Sequence, residues 1–311
     1  MDYINGVTFA PFCHRGEFSR KETRLALDDM IKRTGANFVI FVPGALQDNP
    51  QSESIDFRSE ASPDDKELTD IIKYARSKGL RVALKPTVNC RNGTWRAHIC
   101  FFDEDVPCEP KWGNWFRSYG EFQLHYAEIA EKTGCEMFIA GCEMVQSEHR
   151  EAEWRALINH IRKVYHGLVS YNTDKYQEHN VRWWDAVDVI SSSGYYPISD
   201  WDRQLDRIEQ VIQKYNKPFF FAECGCMSTE GSEKVPNDWS VKGAVSLQRQ
   251  ADWYAEMFAR CSERSWVNGF ALWAWSSRNY PESKADSHGG YDIYAKPAEK
   301  VVRDFYNLRR K

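Results

Sequence analysis

No apolar run in this sequence approaches the ~18 residues that a membrane-spanning helix needs, so no membrane insertion is expected. The first residues, MDYINGVTFAPF, have neither the basic start nor the apolar core of a signal peptide. Excess basic charge is missing too: the net charge of −4 gives no electrostatic case for nucleic acid or an anionic membrane as partner. No G-x-G-x-x-G fingerprint follows the first strand-like segment, which argues against a dinucleotide fold. Linkers, internal repeats and low-complexity stretches are absent, so residues 1–311 read as one domain. The nine cysteines show no disulfide framework, and their odd number reads as reduced thiols in a cytoplasm. Cys224 and Cys226 form C-x-C, and Cys142 precedes Glu143. No partner pair has zinc-like spacing, so neither a metal nor another cofactor is expected. Oligomeric state is not legible.

What the chain has is aromatic residues: 12 Trp, 15 Tyr and 17 Phe. Several of the Trp lie in polar, loop-like stretches, a pattern that suits stacking on flat ligands such as sugars. It also has a regular alternation of short apolar segments with amphipathic ones. Strands are expected at 6–12, 38–44, 80–88, 137–143, 168–172, 187–197, 218–223 and 269–276. Helices are expected at 20–34, from Ser62-Pro63 to Gly79, and at 118–133, 149–166, 202–215, 243–264 and 297–309. Short apolar strands alternating with helices imply a parallel sheet covered on both faces. Eight such units in about 300 residues fit an α/β fold of the closed (β/α)8 TIM-barrel type. The long connections after the second, third, seventh and eighth strands then fall on the C-terminal face, where active sites of this fold sit.

Two glutamates stand at matching places. Glu143 ends the fourth strand after FIAGC, and Glu223 ends the seventh after PFFFA. An unpaired charge on a buried strand is costly, but opposite strands of an eight-strand ring can present two carboxyls across a central pocket. A glycosidic bond needs such a pair. One carboxylic acid protonates the leaving oxygen, and the other attacks the anomeric carbon or activates a water that does. Around them, Lys85, Asn89, Trp95 and Arg96 form a polar and aromatic cluster after the third strand. Tyr195 and Tyr196 end the sixth strand, where a Tyr hydroxyl could hold the nucleophile; Tyr196 is the substrate-site candidate. Trp273 and Trp275 end the eighth strand, at alternate positions expected to project to one side. Trp275, nearer the strand end, is the preferred floor for a sugar ring.

The stretches LKPTVNCRNGTWRAHI, GCEM, VRWWDAVDVISSSGYYPIS, KPFFFAECG, GFALWAWSS and YAKPAEKVVRDFY together resemble a family of β-1,4-mannanases. That family belongs to the large clan of retaining (β/α)8 glycoside hydrolases. The resemblance runs along nearly the whole chain. It implies Glu143 as acid/base and Glu223 as nucleophile, with β-linked mannose-containing oligosaccharides as substrate. Two positions depart from the pattern: Cys142 stands where the clan places Asn, and Thr87 where a His is expected in KP-x-V. Both bear on the sugar and linkage more than on the reaction. A β-glycosidase or β-glycanase for another sugar is the enzyme alternative. A non-catalytic carbohydrate-binding barrel is the alternative of a different class, but it has no use for two opposed carboxyls.

Overall fold

The structure, a computed structural model, describes residues 1–309. Eight parallel strands close into a barrel: β1 (Ile4–Phe9), β2 (Phe38–Phe41), β4 (Arg81–Leu84), β6 (Met137–Cys142), β7 (Leu168–Thr173), β8 (Val189–Ser193), β9 (Phe219–Cys224) and β10 (Val267–Trp275). Around it run α1 (Lys21–Thr34), α2 (Asp65–Ser77), α3 (Trp112–Thr133), α4 (Glu151–Val164), α5 (Trp201–Tyr215), α6 (Leu247–Ser262) and α7 (Pro297–Leu308). The connection from β7 to β8 carries a 3-10 turn, Trp184–Ala186, where the other strands are followed by an α-helix. No helix of the described residues is long and apolar enough to cross a membrane.

Two expected strands are each split by a proline. Residues 38–44 give β2 and then β3 (Gly44–Gln47), with Pro43 between them. Residues 80–88 give β4 and then β5 (Thr87–Cys90), with Pro86 between them. Proline has no N–H for the ladder, so the barrel pairing stops there. β3 and β5 then pair with each other as a separate two-stranded parallel sheet. This extension carries the chain from the barrel rim to Trp95 and Arg96.

α2 begins later than the expected start at Ser62-Pro63. Asp64, not Ser62, is the N-cap: its carboxylate accepts from the Glu67 backbone N–H, and Glu67 reaches back to the Asp64 N–H. Ser62 instead donates to the carbonyl of Gly44 and fastens the loop to β3. α3 begins six residues earlier than expected, at Trp112 rather than 118. Trp112 and Trp115 are buried there among Phe101, Phe116 and Tyr119, and this ring packing extends the helix.

The core has two parts. Inside the barrel pack Ile4, Phe38, Ile40, Met137, Ile139, Phe220, Ala222 and their neighbours. Between strands and helices pack the alternate residues, among them Val39, Phe41, Phe138, Phe219 and Phe221. This is the two-residue period of strands buried on both faces. Each fully buried Ile, Leu or Phe contributes roughly 1.5–3 kcal/mol, so the paired layers fix the ring firmly enough to hold charged groups at its mouth.

Candidate active site

The regular period would turn Glu223 away from the barrel interior, because Phe220 and Ala222 point inward. A register shift prevents this. Ser192 pairs with Phe221 but Ser193 pairs with Glu223, one residue further on. Such a bulge re-aims the following side chain, and Glu223 faces the cavity at the strand end. β6 has the same device: Ile139 pairs with Ser170 and Cys142 with Asn172, again skipping a residue. Glu143 follows with φ of 54°, a left-handed conformation rare for a side-chain-bearing residue. Its N–H donates to the Asn172 carbonyl at 2.8 Å, which holds that conformation. Strain of this kind gathers where function requires one geometry.

The two glutamates share a cavity of about 450 Å³ with Phe12, Trp95, Arg96, Asp174, Lys175, Tyr195, Trp239, Trp273 and Tyr291 among its walls. Each carboxylate has its own set of donors. Glu223 Oε1 accepts from the buried Lys85 ammonium and from the Cys142 thiol at 3.3 Å. Its Oε2 accepts from the Tyr195 hydroxyl at 3.1 Å. Glu143 Oε1 accepts from Ser193 Oγ at 2.7 Å. Its Oε2 accepts from Arg96 Nη2 at 2.9 Å and from the Trp95 indole at 3.3 Å. One oxygen of each carboxylate and the Cys142 sulfur lie within 4.8 Å of one another.

The charges are arranged unequally. Burial pushes Glu223 toward its neutral form, but Lys85 and then Arg96 outweigh burial and hold it below the usual carboxylate range. The Cys142 thiol is pushed far up, by burial first and then by Glu223, and so stays protonated. Cys142, Glu143 and Glu223 have metal-ligand atoms close together. A cation there would have to displace Lys85 from Glu223 and Arg96 from both Glu143 and Cys142 Sγ. The positive charge that balances this cluster is built into the chain.

The remaining sequence-derived candidates fall into two groups. Trp95, 36 % exposed, and Trp273 line the cavity. Lys85 is fully buried beneath Glu223, with Asn172 and the Ala222 carbonyl as its other acceptors, so it acts on the carboxylate and not on a ligand. Asn89 accepts from Arg96 at 3.0 Å and steadies that guanidinium from behind. Tyr196 is away from the cavity: its hydroxyl donates to Glu178, and the tyrosine that reaches Glu223 is Tyr195. Trp275 is also not a wall of this cavity. It is 1 % exposed, edge-on to Tyr294 at 5.5 Å, and borders a smaller cavity of about 310 Å³. The reason is a third register shift: Val7 pairs with Leu272 but Phe9 with Trp275, so the two Trp do not share a face. Sequence reasoning missed Ser193, Asp174, Lys175, Phe12 and Tyr291. None of them stood out locally: Ser193 is the third of three consecutive serines in β8, and only the closed ring shows which of them faces the cavity.

A model of Glycoside Hydrolase Family 113 matches residues 7–296. Among solved structures, a GH113 β-1,4-mannanase complex is 55 % identical over 99 % of both chains, with a TM-score of 0.98. The GH113 β-mannanase AaManA from Alicyclobacillus acidocaldarius, in complex with ManMIm, is 40 % identical over 99 % of this chain and 98 % of that one, with a TM-score of 0.96. A β-D-glucuronidase from Dictyoglomus thermophilum, 14 % identical, matches 98 % of this chain and 50 % of its own at a TM-score of 0.65, a likeness of fold alone. A comparison with curated proteins found no match. The barrel, the opposed glutamates and the family match over nearly its whole length lead to one statement: the chain belongs to Glycoside Hydrolase Family 113 and is a glycoside hydrolase.

Proposed function

We propose that this enzyme cleaves β-1,4-linked mannose chains by double displacement, with Glu223 as nucleophile and Glu143 as acid/base. The observation that carries the reading is the spacing of the pair, whose nearest oxygens lie within 4.8 Å. Retaining enzymes hold their carboxyls about 5–5.5 Å apart, whereas inverting ones leave roughly 6.5–9.5 Å for a water. The unequal surroundings support the roles. Glu223, kept ionised by Lys85 and Arg96, is ready to attack the anomeric carbon. Glu143 donates a proton to the leaving oxygen, and the sugar is then bound covalently to Glu223. Glu143 next takes a proton from water, which displaces Glu223 from the anomeric carbon, so the β-configuration is restored. Trp273 offers the cavity an aromatic face beside Lys85 and Glu223, where a mannose ring would stack. The mannan specificity is supported by the two similar β-mannanase structures. Nine unpaired cysteines support a reducing, cytoplasmic compartment, where short mannooligosaccharides are the accessible substrates.

Azide separates the two roles. Glu143→Ala should still form the glycosyl-enzyme from an activated aryl β-mannoside, and its breakdown should stall for lack of a base. Azide needs no base and should restore turnover with a β-mannosyl azide as product. Glu223→Ala cannot form the intermediate, so azide attacks from the vacated face and gives the α-azide. Each substitution should lower unassisted hydrolysis by several orders of magnitude. The opposite anomers would mean that the roles are exchanged, and wild-type rates in either variant would remove the pair from the chemistry.

A further inference from the structure

Besides the two glutamates the cavity is lined by Asp238, which Ser240 engages, and by Asp174, a buried carboxyl that the double-displacement chemistry leaves without a task. Asp174 is the first residue after β7 and is 6 % exposed. It lines the same cavity as both glutamates. Lys175 is its ion-pair partner, with Nζ 3.5 Å from Oδ2. The same ammonium lies 6.0 Å over the Trp95 ring, whose indole N–H donates to Glu143. Asp174, Lys175 and Trp95 therefore wall the cavity on the Glu143 side. The direct polar partners of Glu223 are different residues: Lys85, Cys142 and Tyr195. Burial and the nearby Glu143 push Asp174 up to about 7, so near neutrality it can accept or donate a hydrogen bond. Glu178 and Glu148 are close enough for their charges to act on it.

The acid of a glycosidase must stand beside the oxygen that departs, so the sugar that leaves lies on the side of Glu143. We infer that Asp174 binds the hydroxyls of the leaving mannose unit and, with Lys175, sets the preference for a sugar as leaving group. The inference rests on Glu143 being the acid. A carboxyl with a neighbouring ammonium presents the acceptor and donor that a pair of adjacent sugar hydroxyls would engage. Such groups reject a ligand lacking hydroxyls because they would be left desolvated and unpaired.

The test compares two substrates that share a glycone and differ in what leaves. Mannobiose releases mannose, and β-mannosyl fluoride releases an ion with no hydroxyls. In Asp174→Asn, and in Asp174→Ala as a second variant, kcat/KM for mannobiose should fall on the order of ten- to hundredfold. The ratio of mannobiose to fluoride kcat/KM should fall by about tenfold or more. A general disturbance of the site would lower both substrates alike and leave that ratio unchanged, and a weakened Glu143 would lower methyl β-mannoside, whose departing methanol needs the acid but carries no ring hydroxyls, as much as mannobiose; either result would overturn the inference. So would undiminished mannobiose hydrolysis. Should the alanine variant fail to fold, the near-isosteric asparagine decides. Wild-type enzyme inactive on both substrates and on longer mannooligosaccharides would overturn the mannosidic function itself, and this inference with it.

Discussion

At the scale of single residues, the two tryptophans of β10 differ sharply in environment although only Ala274 separates them. Trp273 borders the cavity and lies edge-on to Phe12 at 5.7 Å. Trp275 is buried against Tyr294. Trp273→Ala should therefore lower kcat/KM for mannooligosaccharides by about tenfold or more while the melting temperature stays near that of the parent, because the lost contact is with the ligand. Trp275→Ala should destabilise by about 3–5 kcal/mol, the usual cost of emptying a buried ring site. Denaturant unfolding and steady-state kinetics on both variants check this. If Trp275→Ala kept its stability and lost activity, the assignment of the two rings would be reversed.

At the scale of elements, the strand that delivers Glu143 depends on its glycine. A Cβ on Gly141 would meet the Tyr119 hydroxyl at 2.9 Å, the Tyr171 ring at 2.9 Å and the Trp154 ring at 3.0 Å. All three rings are fully buried and packed on one another, so none can swing aside. Gly141→Ala should cost about 1–3 kcal/mol as an overpacking change. It should also reduce activity by more than the unfolded fraction explains, because β6 would be displaced one and two residues before Cys142 and Glu143. Activity measured well below the melting temperature separates the two effects. A variant as active per folded molecule as the parent would show that the bulge absorbs the shift. The same logic applies across the mouth, where β6, β9 and β10 each carry a register shift close to the residue they present.

For the whole molecule, the buried carboxyls link stability to pH. Glu148, fully buried behind the active site, is raised from 4.5 to about 8, chiefly by burial, against hydrogen bonds from Thr173 and Tyr171. Its folded-state value lies above its unfolded one. Between those values the folded protein keeps a proton that the unfolded chain has released. Stability from this group is thus full below about 4.5 and is lost as pH rises toward about 8. Glu148→Gln cannot ionise, and its amide oxygen can still accept from Tyr171 and Thr173, which now bond Oε1 at 2.8 and 2.6 Å. The variant should gain stability relative to the parent between pH 5 and pH 8, measured by urea unfolding at both. A difference that does not change with pH would mean that Glu148 does not titrate in this window.

The alternation of apolar strands and amphipathic helices, both local patterns, was enough to determine the eight-stranded ring and to put Glu143 and Glu223 at the ends of β6 and β9, three steps apart around it. Pro297 at the start of α7 and Gly35 at the end of α1 acted through their own backbone preferences and were equally legible. The proline breaks at Pro43 and Pro86 could have been read the same way. What tertiary structure alone decided is where the mouth side chains point. Strict alternation would have faced Glu223 outward, paired Trp273 with Trp275, and turned Tyr195 and Tyr196 to opposite faces without saying which of them meets the mouth. Each answer was reversed or fixed by a register shift or a bend, and such departures cost energy that only packing across the ring can offset. The charge balance is likewise long-range. Lys85 reaches Glu223 across 138 residues of chain, and Arg96 reaches Glu143 across 47. Closing the barrel brings the two ion pairs together around one cavity, because opposite strands meet at the mouth while their sequence neighbours are carried away by the helices between them.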